Sequence, residues 1–284
     1  MKKVVSLFCL ILIAVGVVLT VLGSKSLYIA EERFWKAEAL AQKIVANPET
    51  TPPYLFEKAR QRFEGIINDY PLNAALVKGA SLATAGLLIH EKKYDEARDL
   101  LLKIRKKYPT DEMLGSKSQF LLGFAREKAG DWKGALKEYQ VLRDQYPQTR
   151  LGLEIPLYIA RYESRQDSDK GATTYEAAAQ YYRGLVQSNP LTNPLKFLGM
   201  NFLLRGYEEQ KKWDKSLDIL EEIILTYPKL LRSYVPRIEA YSRKIKQPGK
   251  AMSIYESFLK AHPDHKDAMI LKKRIERLKS KRSG

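Results

Sequence analysis

One spacing recurs along the chain and constrains its fold more than any other feature. A small residue is followed at +4 by an aromatic or large aliphatic residue, at +7 by another apolar residue and at +12 by proline. The sets are Ala59/Phe63/Ile66/Pro71, Ala97/Leu101/Ile104/Pro109, Ala135/Tyr139/Leu142/Pro147, Ala178/Tyr182/Leu185/Pro190, Ser216/Leu220/Ile223/Pro228 and Ala251/Tyr255/Phe258/Pro263. Tyr94, Trp132, Tyr175 and Trp213 stand three residues before their anchors. Steps of four and three place such side chains on one face of an α-helix. The small residue admits a neighbouring helix at close range, and the large ones fill the space beside it. Proline then ends the helix, because it has no N–H and disfavours helical geometry in the residue before it. A second apolar-periodic stretch precedes each set, as in Leu82 to Ile89 and Phe120 to Ala125. Each unit is therefore predicted to be two antiparallel helices that bury their faces only by stacking on the next pair. A hydrophobic share of 45% is enough to supply a long core of this kind.

The order small-x3-aromatic-x2-apolar-x4-Pro, with an aromatic three residues upstream, resembles the tetratricopeptide repeat. Leu122-Gly123 and Gly130-Asp131-Trp132 of the third unit fit the same pattern. The anchors lie 38, 38, 43, 38 and 35 residues apart, longer than the roughly 34 of the standard repeat. That register, with units closing on Tyr-Pro, is similar to the repeats of bacterial envelope proteins such as BamD-like assembly lipoproteins and the Tol-Pal coordination protein. The resemblance covers residues 27 to 263. It implies an all-α fold, a right-handed α-solenoid of about six helix pairs, used as a scaffold for protein–protein interaction.

Lys2 and Lys3 precede Val4 to Gly23, an uncharged and largely apolar stretch. At about 1.5 Å per residue such a stretch spans roughly 30 Å, the thickness of a bilayer's hydrocarbon core. The sequence thus predicts a membrane anchor over residues 1–24 and the repeat domain over 25–284. A cleaved signal, with Val21-Leu22-Gly23 as its site, is the competing reading, but the run exceeds the roughly 7–15 apolar residues usual for one. Two lysines running straight into the apolar stretch place the repeats outside the cytoplasm, as in a single-pass bacterial inner-membrane protein facing the periplasm. The one cysteine, Cys9, lies inside this stretch, which leaves no thiol chemistry for the repeats.

Within the array, Leu27 to Val45 is predicted to be helical, followed by a turn over Glu49 to Pro53 and a helix from Tyr54 to Asp69. The wide fourth spacing is ascribed to a loop from Ser164 to Thr174, with Thr173 and Glu176 as a capping box. Asn193-Pro194 suits a cap followed by a first-turn proline. A last helix from Asp264 to Lys281 would cover the open end.

No phosphate-binding loop or hydrolase elbow occurs. His90-Glu91 lacks the second histidine of a zinc-protease helix, and His262, Asp264 and His265 flank Pro263 at a helix end. The chain is read as a non-enzyme without metal or cofactor. Its net charge of +16 favours acidic partners, and the tail residues Lys272, Lys273, Arg274, Arg277 and Lys279 form a basic patch. The repeat register points Leu82, Ile89, Phe120, Phe124, Tyr158, Tyr162, Asn201 and Arg205 into a partner-binding groove. Expected partners are envelope or membrane proteins, with anionic lipid or cell-wall polymer as further candidates and nucleic acid not expected. The leading function is a membrane-anchored scaffold for an envelope complex. The alternative is a released periplasmic protein that binds cell-wall or acidic polysaccharide through its basic surface.

Overall fold

The computed structural model of the chain describes residues 27–280, so the predicted span Val4–Gly23 lies outside the described residues. Among those residues, the repeat rule translates directly into burial. Ala59, Ala97, Ala135, Ala178, Ser216 and Ala251 are all buried, as are Phe63, Leu101, Tyr139, Tyr182, Leu220 and Tyr255 four positions on. Each set lies on the second helix of an antiparallel pair, and that helix ends within two residues of its proline.

Helix α1 covers residues 27–46. After it come α2 (Pro53–Asp69), α3 (Ala74–His90), α4 (Tyr94–Lys107), α5 (Glu112–Lys128), α6 (Trp132–Gln145) and α7 (Arg150–Gln166). The remainder comprises α8 (Ser168–Ser188), α9 (Pro194–Glu209), α10 (Trp213–Thr226), α11 (Leu231–Lys244), α12 (Pro248–Ala261) and α13 (Ala268–Ser280). Short 3-10 turns stand at Pro48–Thr50 and Pro228–Leu230. Every described element is helical, and none of the described helices is long and apolar enough to cross a membrane. The chain forms two units, residues 1–152 and 153–284. In both, sequence-adjacent helices pack on one another, as α2 on α3 and α5 on α6 in the first and α8 on α9 and α9 on α10 in the second.

The aromatics around each anchor explain how pairs close and how they stack. The tyrosine before the proline folds back on the first helix of its own pair. Tyr108 lies under the Lys78 ammonium at 5.4 Å, Tyr70 under the Arg33 guanidinium at 5.6 Å, and Tyr227 meets Phe197 edge-on at 5.2 Å. Tyr146 covers Gly115 so closely that a Cβ there would collide with its ring. The aromatic before the anchor reaches instead to the next pair. Tyr94 donates to the Lys128 carbonyl at the end of α5 (2.9 Å), Tyr175 donates to Glu209 at the end of α9 (3.1 Å), and Trp213 packs on Tyr241 of α11 at 4.8 Å. Between the helices of a pair the chain turns through a left-handed residue at Lys92, Gly130, Lys211 and Lys246. Only one of these four is glycine.

The loop predicted from Ser164 to Thr174 is helical instead. Asp167 is the only residue between α7 and α8, and its carboxylate accepts from the Asp169 and Lys170 amides at 2.9 and 3.1 Å. Asp167 therefore caps α8 six residues upstream of the predicted cap. Thr173 does not cap; its hydroxyl donates back to the Asp169 carbonyl at 3.1 Å, inside the helix. Gly171 is the reason the extra turns fit, since a side chain there would strike the backbone of Ser164. The cap at Asn193 forms as predicted, accepting from the Leu195 amide at 2.9 Å with Pro194 in the first turn. The closing helix begins at Ala268, four residues later than predicted, and Lys281 lies outside the described residues.

Candidate partner-binding surface

In the first unit the clearest surface feature is on α5. Phe120 and Phe124 are one helical turn apart, so their rings stack along one side of the helix, 6.1 Å between centroids and within 9° of parallel. Both are half-buried. Phe120 also stacks on Tyr139 at 5.9 Å, and Phe124 meets the His90 ring edge-on at 6.0 Å. The Lys128 ammonium stands 5.2 Å from the centre of Phe124, a cation–π distance. Gly123 makes this arrangement possible, because Tyr139 occupies the space a Cβ would need. Tyr139 also donates to Glu127 at 2.8 Å. Burial and the Lys128 charge lower the pKa of His90. Exposed Lys117 continues the strip toward the start of α5.

Leu82 is half-buried and packs against two small clusters, one of Val77, Ile104 and Leu114 and one of Ala85, Leu101 and Leu122. Ile89 does not line a groove. It is 1% exposed, because Ala97 of α4 and Ala125 of α5 close over it beside Leu88.

In the second unit Asn201 and Arg205 belong to a polar lattice between helices. Asn201 donates to the Phe197 carbonyl at 2.8 Å and accepts from the Tyr234 hydroxyl at 3.1 Å. Arg205 is exposed and donates to Glu209 at 3.1 Å, while Arg161 donates to the other oxygen of Glu209 at 3.0 Å. Tyr158 and Tyr162 of α7 are half-buried. A farther carboxylate, Glu208, ion-pairs with Arg237 and accepts from Tyr241. Sequence reasoning missed this lattice, since pairing between helices some thirty residues apart leaves no local periodicity to read.

The basic tail also differs from a freely solvated cluster. Arg274 turns inward and donates to Glu239 at 2.6 Å, Arg277 stands 3.7 Å from the same carboxylate, and Lys279 is 3.6 Å from Glu276. Lys272 and Lys273 are exposed. His262 and His265 have structural duties: the His262 ring bonds the Leu225 carbonyl at 2.9 Å, His265 accepts from the Asp267 amide at 3.2 Å, and both pack on Phe258.

Helix pairs with a buried small anchor, an aromatic clip to the next pair and a proline stop define an α-helical repeat protein. A family profile described as tetratricopeptide repeat matches residues 75–111, 117–149 and 205–229, so these three stretches are similar to tetratricopeptide repeats. The first two matches cover α3 with α4 and most of α5 with α6, and the third ends just past Pro228. Among solved structures, the TPR2AB-domain:pHSP90 complex of yeast Sti1 aligns at 14% identity with a TM-score of 0.33, over 89% of this chain and 100% of that one. No curated protein matches the chain. The repeat is a protein-interaction scaffold, and no catalytic family is indicated.

Proposed function

We propose that the chain is a membrane-anchored tetratricopeptide scaffold that recruits a protein partner during assembly or organisation of a bacterial envelope complex. The observation that carries the partner role is the half-exposed, parallel Phe120–Phe124 pair with Lys128 above it and Lys117 beside it. Rigid aromatic faces of this kind give large contact area at little conformational cost, and anchors of this type dominate binding energy. A helix or extended segment carrying an apolar side chain and a carboxylate complements it.

The anchor role rests on the apolar stretch Val4–Gly23 and on two aromatics of α1. Tyr28 and Trp35 are 69% and 64% exposed, and seven residues separate them, so they share one stripe of the helix. Amphipathic aromatics just beyond an apolar span suit the bilayer interface. On this reading the helix pairs lie on the periplasmic side. The test is topology in the native cell. The uncleaved Met1 end should be retained in the carbonate-washed inner membrane, and protease added to spheroplasts should digest the repeats. A mature end near Gly23 with the protein in the soluble fraction would replace this proposal with the polysaccharide-binding reading.

A further inference from the structure

Where α11, α12 and α13 meet there is a small cavity of about 150 Å³, lined by Glu239, Ser242, Arg243, Pro248, Ala251 and Arg277 among others. Its charge is unbalanced. Glu239, 13% exposed, is the one carboxylate, and three guanidiniums converge on it. Arg274 satisfies it at 2.6 Å, whereas Arg277 and Arg243 stand off at 3.7 and 3.9 Å, too far to hydrogen-bond. Tyr255 donates to the same carboxylate at 3.4 Å. Each standing-off arginine keeps a planar fork of donors and is still more than half exposed, at 57% and 68%.

Ser242 makes the cavity more than a surface cluster of arginines. It is 1% exposed, lines the cavity, and its buried hydroxyl has no hydrogen-bond partner among the described residues. A buried polar group without a partner is costly, and such groups call for an explanation. The dipoles of the adjoining helix ends point the same way. The last carbonyls of α11 are consumed by the turn, with Tyr241, Ser242 and Arg243 accepting from Ile245, Gln247 and Lys246. The start of α12, by contrast, reaches the cavity at Pro248, which has no N–H, and the Lys250 amide donates to the Gln247 carbonyl at 3.0 Å, so this end offers its dipole and not a row of free amides. An uncapped helix start favours an anion.

We infer that this cavity is a binding site for a phosphate-type oxyanion. It would be held by the forks of Arg243 and Arg277, with the Ser242 hydroxyl as a third donor and Arg274 keeping Glu239 neutralised. A phosphate group fits the volume, and its several oxygens match two forked donors better than a chloride ion does. The exposed outer sides of both arginines leave room for the group to be the end of a larger molecule, such as a lipid headgroup, or a free ion.

The test is titration calorimetry on the full chain in a neutral detergent, with sodium phosphate against sodium chloride at matched ionic strength. One saturable phosphate site per chain is expected. Ser242→Ala should weaken it about five- to tenfold while leaving the melting temperature in chloride within about 2 °C of wild type, and Arg243→Gln/Arg277→Gln should abolish it. Adding phosphatidic acid to the micelles separates the two sources: loss of the phosphate signal identifies the headgroup as ligand, and an unchanged signal identifies the free ion. Phosphate binding of equal strength in wild type and Ser242→Ala, or none beyond the chloride control, would overturn the assignment. A marked fall in melting temperature for Ser242→Ala in chloride would do the same, since it would give the hydroxyl a packing role.

Discussion

The two units obey one repeat rule but hold together differently. In the second, a single apolar cluster runs from Leu157 through Tyr182, Leu220 and Tyr255 to Ile275. In the first, buried apolar residues of α1 to α5 fall into several smaller clusters. Each unit also buries polar side chains: Ser81, Ser116, Ser118 and Gln119 in the first, and Glu163, Ser216, Ser242 and Asp267 in the second. Gln119 is fully engaged, accepting from Arg105 at 2.9 Å and donating to the Glu138 carboxylate at 2.7 Å. The comparison teaches that the small–large–apolar rule sets where the helices cross, while the polar groups buried beside it differ in kind: an amide, Gln119, in the first unit, and carboxylates paired with cations, Glu163 with Lys170 and Asp267 with Arg232, in the second. Such directional bonds are worth little when made and cost more when broken.

Four substitutions break or sharpen this contrast. The largest effect is expected in the second unit. Tyr182 is buried, stacks on Phe202 at 5.3 Å and donates to the Leu153 carbonyl at 2.7 Å. Tyr182→Ala should cost about 3–5 kcal/mol, with loss of hydrogen-exchange protection across the second unit. Next comes Gln119→Leu, an apolar replacement that would help a greasy core. Here it leaves Arg105 and Glu138 without their shared partner and should destabilise by about 1–3 kcal/mol in denaturant melts. A neutral or stabilising result would erase the distinction between the units.

Asp111 gives a smaller and pH-dependent effect. The neighbouring Lys78 ammonium and the Leu114 amide hold its carboxyl below the usual carboxylate range. A folded-state pKa below the unfolded one adds stability above the unfolded value, near 4, and that stability is lost as pH falls through the folded pKa. Asp111→Ala should therefore cost about 1 kcal/mol at pH 7, mostly through the lost helix cap. Its stability should also fall less steeply than wild type's between about pH 5 and 2, measured by circular dichroism. The smallest effect has the opposite sign. Lys211 occupies a left-handed turn at φ 57°, the conformation that Gly130 adopts in the first unit. Lys211→Gly should raise stability by a few tenths of a kcal/mol, up to about 1, because relief of the Cβ conflict outweighs the added chain entropy.

Much of the fold was legible because the repeat's code is local. Anchor and +4 residue, a turn apart, determine the same buried face in all six sets, and each proline places a helix end within two residues. The Ser164–Thr174 stretch was misread because Gly171 and Thr173 look like loop residues. What decides their state is the strong cap at Asp167 and the close approach to Ser164, and neither is a periodic signal. The candidate surface was only partly legible. The register placed Phe120 and Phe124 together, and their rings do stack on α5, but Ile89, seven residues from Leu82 on the same helix, is sealed by residues from two other helices. Side-chain pairings across thirty residues, such as Arg237 with Glu208, leave no trace in the spacing.

The central claim is that the α5 face receives a protein partner, and site-specific photo-crosslinking in the native cell tests it most directly. The probe belongs at Lys117, which is exposed beside Phe120, because Phe120 and Phe124 themselves also pack against the core. A control probe belongs at Leu102, exposed on α4. The account predicts one dominant protein adduct from position 117, absent from position 102 and strongly reduced by Phe124→Ala in a chain that still melts like wild type. Equal adducts from both positions, or an adduct at 117 that survives Phe124→Ala undiminished, would contradict it.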